Sequence, residues 1–185
     1  MAEERNIHMK LGMAEGFGCV LVAYLTFMVA MLGFEQISAD ATILGVAYWC
    51  GIGFLIVTVV AFFNENYLMS CVFGVLGVFA VAFKEITSGA VANGGLAVIF
   101  VGVVLLVLTI VSIAQPIRLV PIFLLMAALM FFFVGLWWGE MSNDTYLMLM
   151  GVFAFITMLL ALYFVAAVGV LVLKGKPVLP LLIKG

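Results

Sequence analysis

Six stretches of this chain are apolar almost without interruption, and each is long enough, or nearly so, to cross a bilayer as a helix. They cover residues 14–34, 41–63, 67–83, 95–114, 117–138 and 146–173, the third being the shortest. A spanning helix needs about 20 apolar residues to cover about 30 Å of hydrocarbon. In that solvent every backbone polar group must be satisfied internally, which leaves helices or a closed barrel. Barrel strands would show segments of about ten residues alternating apolar and polar, whereas these runs are apolar on every face. Charged residues make up only 9% of the 185. A soluble domain carries about 25%, so this chain cannot cover a water-facing surface. The expectation is an all-α integral membrane protein: a single domain over residues 1–185, a six-transmembrane-helix bundle, multi-pass in the cell (plasma or cytoplasmic) membrane. The first run is longer than a signal-peptide core and more spans follow it, so it reads as a retained helix.

The connections are short. Glu35 to Asp40 joins the first two helices, Asn64-Glu65-Asn66 the second and third, and Lys84 to Gly94 the third and fourth. Gln115-Pro116 breaks the fourth from the fifth, and Gly139 to Thr145 leads into the sixth. Six spans place both termini on one side. That side holds Arg5, Lys10, Arg118, Lys174, Lys176 and Lys184, and the other only Lys84. By the positive-inside rule the protein is expected N-in, C-in. Trp137 and Trp138 end the fifth helix at the outer interface, where indoles are favoured.

The spans carry few groups able to do chemistry. The three cysteines, Cys19, Cys50 and Cys71, lie in apolar runs without metal-ligand spacing, and the sole histidine, His8, precedes the first span. No nucleophile–base pair, metal site or phosphate loop is visible. The expectation is a non-enzyme with no cofactor, and the absence of a basic patch argues against nucleic acid as a partner. Ionisable residues inside a membrane usually mark ion or proton paths. Here Glu15, near the start of the first helix, is the one acid that could lie below the headgroups. It reads either as a charge favoured by the helix dipole or as a gate. The other interior polar groups are mostly hydroxyls, Tyr24, Thr26, Thr58, Thr157 and Tyr163 among them. Such a sparse lining suits a narrow path for a small, weakly polar solute.

The order and spacing of several short motifs resemble the acetate uptake transporter family, which includes the succinate–acetate permeases. Gly16-Phe17-Gly18 matches that family's Gly-Phe-Gly at the head of helix one. The stretch from Gly51 through Asn66 to Gly77 and Phe79 fits without a gap. Arg118 stands where helix five begins, Tyr163 near the middle of the last helix, and Val178-Leu179-Pro180 near the end. The family's Asn-Pro-x-Pro is absent, Asn6 being followed by Ile7. Its polar positions in helices two and three fall on Phe54, Ala61 and Gly74-Val75-Leu76. The resemblance implies a homohexamer with one path through each protomer. It also implies an apolar constriction built from Phe17, Leu76 and residues of Phe131-Phe132-Phe133-Val134, with Phe132 and Phe133 the candidates there. Glu15, Tyr24, Phe54 and Tyr163 are the candidate pore-lining or gating residues.

The function expected is therefore a channel or transporter for a small monocarboxylate such as acetate, moving with or without a proton. A channel for a small neutral solute such as urea or an amide is the alternative within transport. A non-transporting structural subunit of a membrane complex, suggested by the apolar interior and 12 methionines, is the alternative outside it.

Overall fold

The computed structural model describes residues 13–38, 41–89, 91–115, 117–139 and 143–174. Six helices fill it: α1 Met13–Gly33, α2 Ala41–Phe63, α3 Tyr67–Gly89, α4 Val91–Ser112, α5 Leu119–Gly139 and α6 Asp144–Lys174. Five of them contain stretches long and apolar enough to cross a membrane, and α3 contributes a shorter one, Tyr67–Phe83. Arg5, Lys10, Lys176 and Lys184, much of the Lys/Arg asymmetry, lie outside the described residues, as do His8, Glu140 and the Val178-Leu179-Pro180 run.

One connection differs from the sequence reading. Lys84 to Gly94 is not a loop: α3 continues to Gly89 and α4 begins at Val91. A polar residue can end an apolar run without ending a helix, because backbone hydrogen bonds are local and indifferent to the solvent around the side chain.

The turns at the ends of α1 and α2 share one design. Glu35 and Glu65 have positive φ, 58° and 60°. The Gln36 amide donates to the Met31 carbonyl and the Glu35 amide to that of Leu32, both at 2.9 Å. The Asn66 and Glu65 amides repeat the pattern on Ala61 and Phe62, at 2.9 and 3.0 Å. These are Schellman caps, in which a left-handed residue turns the chain back and satisfies carbonyls left over at the helix end. Asn66 then starts α3: its Oδ1 accepts from the Met69 amide at 3.3 Å, the bond an N-cap residue supplies.

The helices form a closed ring in chain order. Each packs against its sequence neighbours, and α1 packs against α6 to complete the circuit. Where α1 meets α6, a Cβ on Gly151 would stand 3.0 Å from the Cα of Gly33. Where α4 meets α5, a Cβ on Gly135 would stand 2.7 Å from the Gly95 carbonyl oxygen. Lipid is as apolar as a protein core, so helices associate through such close backbone approach. One end of the ring, here the near end, holds the start of α1, the α2–α3 and α4–α5 turns and the end of α6. The far end holds the other three connections. The core lies along the ring axis, with Phe54, Leu105, Leu124, Ala128, Ala154 and Ala161 fully or almost fully buried.

Candidate functional site

Two cavities lie one below the other along the axis. The far-end cavity has a volume of about 100 Å³. Its wall comes from Leu25, Val29 and Leu32 of α1, Ile43, Leu44 and Ala47 of α2, Phe79, Ala80 and Phe83 of α3, and Met130, Phe131, Val134, Trp137 and Trp138 of α5, with Met150 of α6. The central cavity is only about 20 Å³ and is walled by all six helices, including Thr26, Phe54, Leu76, Leu105, Phe131 and Thr157. Leu25, Met130 and Phe131 line both cavities, so these three side chains separate the wide space from the narrow one. A volume of 20 Å³ holds about one water molecule, which makes the centre of the bundle a constriction.

The constriction offers no charge and no outward hydroxyl. Thr26 Oγ1 donates to the Val22 carbonyl at 2.8 Å, and Thr157 Oγ1 to that of Phe153 at 2.7 Å. A threonine inside a helix commonly satisfies its hydroxyl on the preceding turn in this way. Below the narrow cavity the Phe54 and Phe73 rings stack at 5.9 Å, 18° from parallel. Gly18 makes room for them: a Cβ there would lie 2.5 Å from Phe73 Cζ. The second glycine of Gly16-Phe17-Gly18 thus has a packing reason, whereas nothing lies within 4 Å of a Cβ built on Gly16.

A polar cluster occupies the near end. Glu15, in the first turn of α1, is 0% exposed. Asn66 Nδ2 donates to its Oε1 at 3.4 Å. Ser70 Oγ donates to the Thr58 carbonyl at 3.1 Å, and Thr58 Oγ1 to that of Phe54 at 2.8 Å. These bonds link α1, α2 and α3 just where α2 turns into α3. Among the described residues no group of three or more His, Cys, Asp or Glu side chains is arranged to hold a metal ion.

The fold brings some candidate residues together and separates others. Phe54 and Leu76 meet at the narrow cavity, and Glu15 lies buried one turn below Gly18. Phe17 and Tyr24 are 52% and 50% exposed, in an outward stripe of α1 with Val20 and Phe27. Phe132 lines neither cavity. Phe133 stacks on Phe153 of α6 at 5.4 Å and 4°. Tyr163 is partly buried on α6 and borders neither cavity. From the same aromatic run it is Phe131 and Val134 that face the axis. Trp137 and Trp138 were expected as interface anchors. They sit at the end of α5, but their rings line the far-end cavity, and Trp137 is only 7% exposed. Phe123, Ala127, Met130, Val134 and Trp137 share the inward face of α5, but apolar neighbours on every other face hide that repeat in the sequence.

Six long helices in a closed ring, apolar inside and out, define a multi-pass α-helical membrane protein. The structure of the bacterial acetate channel SatP is similar to it, with a TM-score of 0.82 over 95% of this chain and 100% of that one, at 17% sequence identity. At that identity the likeness is one of fold. No family model matches the sequence, and no curated protein does.

Proposed function

We propose that this chain is a channel or transporter for a small monocarboxylate of acetate size and a divergent member of the acetate uptake transporter family. One observation carries the reading: an axial series of cavities narrowing at Phe54, Leu76 and Phe131, inside a fold shared with an acetate channel. Fold alone does not assign function; the shape and chemistry of the axis support it. The wall carries no fixed countercharge, and moving a bare carboxylate through it would be costly. The neutral acid avoids that cost, so the solute crosses the constriction together with its proton. Large apolar side chains around a narrow space also gate by dewetting. Glu15, buried beside Asn66 at the near end, is the candidate gate.

The Lys/Arg distribution supports a cytoplasmic near end. A homo-oligomer, a hexamer by family resemblance, is part of the proposal; the exposed apolar stripe of Phe17 and Tyr24 on α1 would then face lipid or a neighbouring protomer. A second reading, passage of a neutral solute such as urea, draws support from the same uncharged wall.

Uptake of labelled acetate into proteoliposomes, corrected for empty liposomes and compared with labelled urea, tests these readings. Acetate flux that rises as the external medium is acidified is the expected result. Urea flux without acetate flux would favour the second reading. Flux of neither would leave a structural subunit as the better description.

A further inference from the structure

We infer that the far-end cavity is a binding station for a small solute bearing an acceptor oxygen, recognised by the indole N–H groups of Trp137 and Trp138. The inference rests on the reading of the axis as a solute path and adds to it the residues that would hold the solute. Both Nε1 atoms are buried and find no hydrogen-bond partner in the protein. Both residues line the same cavity of about 100 Å³. Their rings meet edge to face at 5.7 Å and 84°, and Trp138 packs on Phe83 in the same manner at 5.7 Å.

A buried donor without an acceptor costs about what a lost hydrogen bond costs, and an indole N–H can only donate. Two such donors beside one apolar space therefore call for an occupant with acceptors. Trp137 cannot be acting as a lipid-facing anchor, because it is buried inside the helix ring. The remaining wall is aliphatic or aromatic, which suits a short hydrocarbon body. Space of this size admits a solute of a few heavy atoms, since one water needs about 10–15 Å³ of such space. A carboxyl or carboxylate group on a one- or two-carbon stem meets both requirements. A cation held by the ring faces is the competing occupant of an aromatic cavity, but it would leave both N–H groups unsatisfied. Bulk water in the cavity would satisfy them without selecting any solute.

Indole emission reads the site directly. Trp49 is 71% exposed on α2, away from the cavity, so W49F removes the background signal. The purified double variants W49F/W138F and W49F/W137F then each report from one cavity indole. Titration with sodium acetate, against sodium chloride and tetramethylammonium chloride at equal ionic strength, should give a saturable emission change with acetate alone. In uptake assays W137F and W138F should raise KM for acetate about three- to tenfold, the worth of one neutral hydrogen bond, while W49F leaves it unchanged. Acetate uptake with unchanged KM in both variants and no emission change would overturn the binding station and leave the transport reading standing. A saturable response to tetramethylammonium in place of acetate would also overturn it. An acetate-specific emission change without any uptake would support the station and count against transport.

Discussion

The side-chain amide of Asn66 joins two jobs: its Oδ1 caps α3 at the Met69 amide, and its Nδ2 donates to the buried carboxylate of Glu15 on α1 at 3.4 Å. A residue in the α2–α3 turn thereby ties the start of α1 to the start of α3.

Asn66→Ala should therefore lose more than a cap. Cap removal costs about 1 kcal/mol, and loss of the hydrogen bond to Glu15 adds about 0.5–1.5 kcal/mol. The midpoint of thermal unfolding in detergent should fall accordingly. Asn66→Asp keeps a capping oxygen but sets a second carboxylate against Glu15, so it too should be destabilising. Combining it with Glu15→Gln restores a donor–acceptor pair in reverse. The double variant should melt above Asn66→Asp alone, and failure to do so would mean that the contact contributes nothing.

Glu35 and Glu65 hold left-handed backbone conformations that cost a residue with a Cβ about 1 kcal/mol or more. Glycine takes that conformation without the clash. Relief of that clash exceeds the entropy glycine adds to the unfolded chain, so Glu65→Gly is expected to raise stability by about 0.5–1 kcal/mol net. Chemical unfolding of the detergent-solubilised protein measures it, and lowered stability would show that the Glu65 side chain contributes something the backbone argument omits.

Leu76 narrows the central cavity from α3. Leu76→Ala should widen it, raising acetate flux per protein or admitting longer acids. Its packing cost is about 2–5 kcal/mol on the soluble-protein scale. Unchanged solute selection together with a large stability loss would make Leu76 a core residue only. Phe17→Ala, on the outward stripe of α1, should change acetate flux much less than Leu76→Ala; a larger effect from Phe17 would put the constriction elsewhere.

Gln36 and Glu65 are both exposed and stand at opposite ends of the ring. In a background with Cys19, Cys50 and Cys71 replaced, a cysteine at Gln36 should react with an impermeant maleimide added outside cells, and one at Glu65 only after permeabilisation. The reverse pattern would invert the proposed orientation.

The sequence alone was enough to specify six helices and to place most of their ends within a few residues, because a long uncharged run in a chain this apolar has no other stable state in lipid. Asn66 and Glu15 could each be singled out, since polar groups stand out among apolar neighbours. Which apolar residues face the axis was another matter. In water, a buried stripe differs chemically from an exposed one; in a bilayer the outside is as apolar as the core, and the contrast disappears. Hence Phe131, Phe132 and Phe133 are indistinguishable as letters, yet Phe131 lines the axis while Phe133 stacks on α6. For the same reason the outward placement of Phe17 and the inward turn of Trp137 emerged only with the ring. Its geometry comes from close contacts such as Gly33 with Gly151 and Gly95 with Gly135, which pair residues far apart in the chain.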